Sequence, residues 1–212
     1  MDRSALCARP GTDSVQCRPI DIAVLVSGSG SNLQALVDQQ GSYRVVSVIS
    51  DRSGVRALDR AAAAGVTTEV VEWRGDRDTF TADVCDFVEK AGAEAMVLAG
   101  FMRILGHEAV RRFPILNIHP SLLPAFPGAH AVAQAIAHGV TVTGVTVHFV
   151  DEQVDHGPIV AQVPVEVLGD DTEATLHARL QKEEHLLYPR VVSAFARGDI
   201  QLDGHRVLWS RS

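Results

Sequence analysis

The sequence has little of what marks secreted, nucleic-acid-binding or membrane proteins. It contains three cysteines, Cys7, Cys17 and Cys85, and no CxxC pair, so we expect a reduced, cytoplasmic setting without a disulfide framework. Acidic residues outnumber basic ones by 26 to 19, the formal net charge is −7, and no long basic run occurs. This argues against nucleic acid or an anionic membrane surface as the main partner. No apolar run reaches transmembrane length.

The remaining composition is that of a globular protein. The chain has 212 residues, of which 46% are hydrophobic and 21% charged, which suffices for one α/β domain with a full core. Residues 1–19 carry charges and prolines and no signal-peptide pattern, and we predict a disordered extension there. We predict a single domain over residues 20–212.

Strand and helix patterns alternate through the first half of the chain. The predicted strands are residues 20–27, 45–50, 66–71, 95–99 and 115–118, and the predicted helices are residues 31–39, 55–64, 79–90 and 106–112. This alternation predicts βαβ units and a Rossmann-like α/β fold with a mostly parallel central sheet flanked by helices. In such a sheet the functional site lies at the carboxyl ends of the strands.

The pattern changes after residue 124. We predict a helix over residues 131–138, strands over 142–150 and 159–167, a long helix over 172–196, and a terminal hairpin formed by 200–202 and 207–209. The two longer strands predict an antiparallel extension of the sheet. Apolar residues of the long helix recur at helical spacing on one face: Leu176, Leu180, Leu187, Val191 and Phe195.

A glycine-rich turn follows the first predicted strand and leads into a helix. It reads Gly28-Ser29-Gly30-Ser31-Asn32-Leu33. Leu33 stands where a dinucleotide fingerprint has its third glycine, and there is no Walker lysine. The turn can still bind one phosphate, because backbone amides point outward at the start of a helix. The alternative is a tight turn in which Ser31 or Asn32 caps the helix.

A second motif offers three groups suited to acyl transfer to an amine. Asn117 and His119 are two residues apart in a predicted strand, so both side chains face the same side, and Asp155 precedes Gly157-Pro158. An amide can hold a carbonyl oxygen, an imidazole can move a proton, and a carboxylate can favour the charged imidazolium. The alternatives are a structural histidine and a solvated acidic loop.

Other polar residues give weaker signals. His130, His138, His148 and His156 show no tight ligand spacing, apart from a loose pairing of His148 with Asp155, so we expect no metal. Glu184 falls between Leu180 and Leu187 on the long helix. From this position alone, we expect a solvent-exposed glutamate on the helix.

Together, several segments resemble the phosphoribosylglycinamide formyltransferase family of purine synthesis. These segments are Gly28–Leu33, Ala99–Leu105, Asn117–Pro124 and Glu184-His185 with Tyr188-Pro189. Their order and spacing are specific, and the similarity covers roughly residues 20–210. Asn117, His119 and Asp155 alone would be less specific, because other formyl-folate enzymes share them.

The resemblance implies a reaction and a set of site residues. The amine of 5-phosphoribosylglycinamide would attack the formyl carbon of 10-formyltetrahydrofolate. Asn117 would hold the developing oxyanion, and His119 would donate a proton to it. Asp155 would favour the protonated form of His119 and help to move the amine proton. The implied ribonucleotide contacts are Gly30, Ser31, Asn32, Gln181, Lys182, Glu183 and Glu184. The implied folate contacts are Arg77, Met102, Arg103, Ile104, Leu105, Asn117, Asp151, Glu152, Gln153, Val154 and Asp155.

Two departures from the family and three alternative functions remain. His156 stands where the family more often has a small residue, and residues 1–19 have no counterpart. A formyltetrahydrofolate deformylase would carry an additional domain before its catalytic part and a His-His pair in place of His119-Pro120. A methionyl-tRNA formyltransferase would carry a basic C-terminal domain. A nonenzymatic nucleotide- or folate-binding regulator would not need Asn117, His119 and Asp155 together. We expect two small-molecule substrates and a monomer or homodimer.

Overall fold

A computed structural model describes residues 18–210 of the chain. Residues 1–17 of the predicted N-terminal extension therefore lie outside the described residues. The elements in chain order are β1 (Ile20–Val26), α1 (Ser31–Asp38), β2 (Tyr43–Ser50), α2 (Arg56–Ala63), β3 (Thr67–Val70), α3 (Arg77–Lys90), β4 (Ala95–Leu98), α4 (His107–Arg112), β5 (Ile115–His119), α5 (Ala131–Ala137), β6 (Val142–Phe149), β7 (Ile159–Glu166), α6 (Glu173–Arg197), β8 (Ile200–Asp203) and β9 (Arg206–Trp209).

The central sheet has seven strands in the order β3-β2-β1-β4-β5-β6-β7. Strands β1 to β5 pair in parallel, whereas β6 and β7 add antiparallel strands to one edge, and β8 and β9 form a separate hairpin. The predicted fold class is therefore confirmed. The direction of chain winding reverses between β1 and β4, which opens a crevice at their carboxyl ends.

Helices cover both faces of the sheet. On one face, Val24 and Val97 lie in a cluster with residues of α1 and α6, and on the other face Leu25 and Met96 lie in a cluster with residues of α3. Burial on both faces explains why the central strands read as continuous apolar runs instead of alternating ones.

Two element boundaries differ from the predictions by two residues. Strand β2 begins at Tyr43, whose buried hydroxyl donates a hydrogen bond of 2.8 Å to the Leu36 carbonyl. Helix α3 begins at Arg77 because the Asp76 carboxylate accepts a hydrogen bond of 2.7 Å from the Thr79 amide and caps the helix. The start of β2 follows from its pairing with β1, in which Tyr43 lies opposite Ile20, and the start of α3 follows from a side-chain cap. Hydrophobic periodicity registers neither.

Helix α6 continues through Pro189. Proline has no amide hydrogen, so the carbonyl four residues earlier loses its helical partner. That carbonyl belongs to His185, and it accepts a hydrogen bond of 3.2 Å from the Gln39 side chain, beyond the end of α1. Leu176, Leu180, Leu187 and Val191 are buried, as the helical spacing predicted. Across residues 18–210, none of the helices combines the length and the apolar character needed to cross a membrane.

Candidate active site

The carboxyl end of β5 brings the predicted catalytic groups together. The Asn117 amide nitrogen lies 3.4 Å from Oδ1 of Asp155, and Nδ1 of His119 lies 3.3 Å from Oδ2 of the same carboxylate. Asn117 and His119 thus both face one acidic group that lies in the β6–β7 loop.

The backbone around Asp155 aims its carboxylate at β5. Asp155 has a φ of 52°, in the left-handed region that non-glycine residues seldom adopt. The Gly128 amide donates a hydrogen bond of 2.7 Å to Oδ2. Two residues further on, a Cβ at Gly157 would lie 2.0 Å from the Phe149 carbonyl oxygen, so only glycine lets the loop return to β7 this closely. The strained turn is therefore held by specific contacts on both sides.

Asp155 is ionised at neutral pH. Burial opposes its charge, but hydrogen bonds from His148 and from the Gly128 amide, together with the nearby charges of His119 and His148, outweigh burial and hold the pKa of Asp155 below its usual value. A permanent negative charge consequently lies beside the His119 ring.

Both ring nitrogens of His119 face hydrogen-bond acceptors. Nδ1 faces Asp155, and Nε2 lies 2.8 Å from the backbone carbonyl of Phe126. The Phe126 carbonyl can only accept, so Nε2 carries a hydrogen, and Nδ1 also lies beside an acceptor. Phe126 has a φ of 52°, so a second strained residue positions this partner. The geometry suits a proton donor.

His148 is a buried neighbour of this group that sequence reasoning considered only as a weak metal ligand. Its Nδ1 lies 2.8 Å from the Phe149 carbonyl, which fixes the hydrogen on that nitrogen. Its Nε2 lies 3.1 Å from the Asn117 amide nitrogen and 3.5 Å from Asp155. The antiparallel register places His148 directly opposite Asn117. His148 therefore helps to orient the amide.

The glycine turn after β1 forms the second part of the crevice. Helix α1 begins at Ser31 after Gly30, which has a φ of 72° and provides no side-chain cap. The alternative in which Ser31 or Asn32 caps the helix is therefore wrong. A Cβ at Gly30 would lie 2.7 Å from the Cα of Ala57, so glycine is required by packing as well as by φ. The first-turn amides of α1 remain free of intrahelical partners and suit an anion.

A cation that no motif predicted lies beside this turn. The Arg60 side chain, on α2, donates a hydrogen bond of 3.0 Å to the Ser29 carbonyl. Arg60 also borders a cavity of about 320 Å³ that Ser31 and His185 help to line. Positive charge near the amides of α1 adds to their attraction for a phosphate.

Asn32 and Glu184 connect α1 to α6. The Asn32 amide donates a hydrogen bond of 2.8 Å to the Glu184 carboxylate, and both side chains are buried. The reading of Glu184 as a solvated helical residue is therefore wrong. Within residues 18–210, the Asn32 side-chain oxygen has no hydrogen-bond partner. Of the other ribonucleotide contacts predicted on α6, Gln181 and Glu183 are half-buried and Lys182 is exposed.

The predicted folate segment lies between β4 and α4. The Met102 amide donates a hydrogen bond of 2.9 Å to the Ser27 hydroxyl at the end of β1, which anchors the segment at the crevice. Met102 is 70% exposed and Ile104 is 58% exposed, whereas Leu105 is buried. Two exposed apolar side chains on an anchored loop provide a surface for a flat apolar ring.

The two arginines predicted to contact the folate have different surroundings. Arg103 donates a hydrogen bond of 2.8 Å to the buried Asp51 carboxylate and lies over the Trp73 ring at 5.2 Å. Arg77, at the start of α3, lies 3.6 Å from the Asp78 carboxylate. Arg103 is thus held at the loop by two partners, whereas the ion pair of Arg77 with Asp78 is exposed.

The predicted loop 151–155 contributes mainly through Asp155. Glu152, Gln153 and Val154 are exposed, and Asp151 is half-buried. Asp151 accepts hydrogen bonds from the Gln153 amide at 2.9 Å and from His156 at 2.8 Å. Of the five residues of this loop, Asp155 contacts Asn117 and His119. Residues 151–154 lie around it.

Comparison with known proteins shows the family of the chain. Residues 20–192 match the model of the formyl transferase family, and the chain belongs to that family. It is 38% identical over 205 residues to phosphoribosylglycinamide formyltransferase of Escherichia coli strain K12, which covers 89% of this chain and 96% of that protein. A solved structure of glycinamide ribonucleotide transformylase 1 from Symbiobacterium toebii is 43% identical, with a TM-score of 0.90, and covers 94% of this chain and 98% of that one.

Animal relatives are much longer. The chain is 42% identical over 205 residues to trifunctional purine biosynthetic protein adenosine-3 of Bos taurus, with 92% of this chain and 20% of that protein covered. The chain thus spans about a fifth of the length of that relative.

Proposed function

We propose that this chain transfers the formyl group of 10-formyltetrahydrofolate to the amine of 5-phosphoribosylglycinamide, a step of purine biosynthesis. The observation that carries the proposal is the ionised Asp155 carboxylate, which lies 3.3 to 3.4 Å from both His119 and Asn117. The bacterial relatives that the chain covers almost completely bear the name of this activity. Residues 20–212 are then the catalytic domain.

The proposed reaction begins with attack of the amine on the formyl carbon. The new C–N bond turns the formyl oxygen into an oxyanion, which the Asn117 amide and the His119 imidazolium stabilise as hydrogen-bond donors. Asp155 accepts the proton that the amine loses, directly or through one water. The intermediate then collapses, the bond between the formyl carbon and the folate nitrogen breaks, and that nitrogen takes up the proton that Asp155 had accepted. No metal is needed for these steps.

The ribonucleotide occupies the crevice between α1 and α6 in this proposal. Its phosphate binds the amides of Gly30, Ser31 and Asn32, where the helix start and the nearby Arg60 attract an anion. Glu184 accepts hydrogen bonds from the ribose hydroxyls, with Gln181, Lys182 and Glu183 beside it. The short hydrogen bond between Asn32 and Glu184 supports this placement, because it joins the phosphate and ribose ends of the site.

The folate lies along the segment between β4 and α4. Met102 and Ile104 pack against its ring, while the backbone of Arg103 to Leu105 bonds to its polar edge. Arg77 and the loop 151–155 close the other sides. The exposure of Met102 and Ile104 supports this placement, because large apolar groups at a crevice mark a binding surface. The cytoplasmic setting and the monomeric or dimeric state stay predictions.

Formyl loss from 10-formyltetrahydrofolate tests the proposal directly. The purified protein is mixed with this folate, with and without 5-phosphoribosylglycinamide, and formyl loss is followed over time. We expect turnover only with the ribonucleotide and formation of the formylated amine. Equal turnover without it would identify water as the acceptor and replace the proposal with a deformylase.

A matched substrate isolates the phosphate contact. Glycinamide riboside, which lacks the phosphate, keeps the reacting amine and should show a much higher KM. An unchanged KM would contradict binding of the phosphate at the start of α1.

A further inference from the structure

Three side chains that can bind a metal ion meet beside the loop that carries Asp155. They are Asp151, His156 and His205, and one ligand atom of each lies within 4.8 Å of the other two. Asp151 and His156 belong to the β6–β7 loop, whereas His205 lies in the turn between β8 and β9. The cluster therefore joins two segments far apart in the sequence. The proposed formyl transfer uses neither histidine.

The geometry needs little change to accept an ion. Nδ1 of His156 lies 2.8 Å from Oδ2 of Asp151, and the rings of His156 and His205 are 5.1 Å apart at an angle of 49°. Ligands about 2.0–2.1 Å from a tetrahedral zinc ion lie about 3.3 Å from one another. The contact between His156 and Asp151 is shorter than this spacing, and all three ligand atoms lie within 4.8 Å of one another, so the observed separations bracket the spacing that an ion requires. The His156 side chain is 52% exposed, so an ion reaches the cluster from solvent.

The donor atoms select the class of metal. Two imidazole nitrogens and one carboxylate oxygen suit zinc, cobalt or nickel, whereas magnesium and calcium prefer oxygen ligands throughout. Three protein ligands leave a fourth position for water. The other oxygen of Asp151 accepts a hydrogen bond of 2.9 Å from the Gln153 amide, which orients the carboxylate as an outer contact orients a metal ligand.

We propose that Asp151, His156 and His205 bind one divalent transition-metal ion, with Zn²⁺ as the representative, and that the ion ties the Asp155 loop to the β8–β9 hairpin. The ion would act on the position of the loop and not on the reacting atoms, because its ligands do not include Asn117, His119 or Asp155, although Asp151 is also a proposed folate contact. The expectation of no metal rested on spacing along the sequence, which does not reveal that His205 folds back onto the loop. Because the ion binds only the folded chain, it also raises the melting temperature of the protein.

Zinc titration of matched variants tests this site. The full chain is freed of metal with EDTA, and ZnCl₂ is titrated by calorimetry into the unaltered protein, His205→Ala and His177→Ala. His177 is an exposed histidine on α6 and serves as the control. We expect His205→Ala to weaken binding by about tenfold or more, whereas His177→Ala leaves it unchanged. Formyl transfer without zinc should be unaffected in both variants.

A second variant and thermal unfolding complete the test. His156→Ala should lose zinc binding to the same extent as His205→Ala, and zinc should raise the melting temperature of the unaltered protein more than that of either variant. Equal unfolding curves in EDTA would show that both variants fold. Zinc affinity that survives both substitutions, or no zinc binding by the unaltered protein, would overturn the proposal.

Discussion

The two ends of the proposed active site are held in different ways. At the nucleotide end, Gly30 packs against Ala57 too closely for any side chain, and the buried Asn32 and Glu184 share a hydrogen bond of 2.8 Å. At the catalytic end, His119 and Asn117 lie 3.3 to 3.4 Å from Asp155. The first end is held by close packing and a short hydrogen bond. At the second end, short hydrogen bonds of 2.7 and 2.8 Å hold Asp155 and His119 to the backbone, whereas the contacts among the three side chains are longer.

The difference follows from what each end does. A phosphate needs a fixed set of amides, and close packing of backbone provides that at no cost when the ligand binds. Proton transfer needs partners that change during the reaction, and such hydrogen bonds are often long until substrate is bound. Substitutions at the nucleotide end should therefore change stability and KM, and those at the catalytic end should change kcat.

The largest expected effect is that of His119→Ala. Removal of the imidazole takes away the proposed proton donor, so kcat should fall by about 10²–10⁴-fold, while folate affinity changes little. Steady-state kinetics with both substrates and fluorescence titration with folate measure the two quantities. His177→Ala, on the exposed side of α6, is the control. A normal kcat with a raised folate KM would assign His119 to binding and break the contrast between the two ends.

Gly30→Ala should have a smaller effect than His119→Ala, on stability and on the ribonucleotide KM. A methyl group would meet Ala57 at 2.7 Å on backbone with a φ of 72°, so we expect a loss of about 1–3 kcal/mol in unfolding free energy. The ribonucleotide KM should rise because the amides shift, with kcat nearly constant. Urea denaturation and steady-state kinetics measure both.

Gly28→Ala is the matched control for that substitution. It lies in the same turn, yet no atom lies within 4 Å of a Cβ built there, and its φ is not in the left-handed region. Its unfolding free energy should stay within about 0.5 kcal/mol of the original. Equal losses in both variants would mean that the whole turn, and not the contact with Ala57, sets the stability.

Features that depend on neighbouring residues could be predicted from the sequence, whereas features that depend on contacts between distant segments could not. The strands and helices were predictable because apolar runs and glycine turns are local signals. The proximity of Asn117 and His119 was predictable because residues two apart in a strand share a face. His148 was missed because its place opposite Asn117 depends on the register between β5 and β6. The Phe126 carbonyl is a backbone atom, and no residue type encodes its position.

Glu184 shows the limit of periodicity. Its place between Leu180 and Leu187 put it near the edge of an apolar helix face, and periodicity alone does not tell a buried carboxylate from a solvated one. The partner that makes burial tolerable is Asn32, on another helix. Resemblance to a family singled out Glu184, whereas the contact itself depends on how α6 packs on α1.

Tyr188 links the two ends of the proposed site. Its buried hydroxyl has one hydrogen, which is shared between the Leu98 carbonyl at 2.9 Å and the Leu116 carbonyl at 3.0 Å. Burial, reinforced by the charge of Glu184, raises the pKa of Tyr188 well above its usual value, so the hydroxyl stays protonated and remains a donor. Because Leu98 and Leu116 precede the folate segment and Asn117, one hydroxyl connects the helix of Glu184 to both strands.

Tyr188→Phe removes this connection and keeps the ring. We expect a loss of about 1–3 kcal/mol in unfolding free energy, because two buried carbonyls lose a donor. Tyr43→Phe is the control, since it removes one hydrogen bond, to Leu36, away from the strands of the site, and it should cost about 1 kcal/mol. Only Tyr188→Phe should also raise the ribonucleotide KM slightly, through movement of α6. If both variants lose the same stability and keep the same KM, α6 is positioned by its apolar face alone, and the two ends of the site are independent of this hydroxyl.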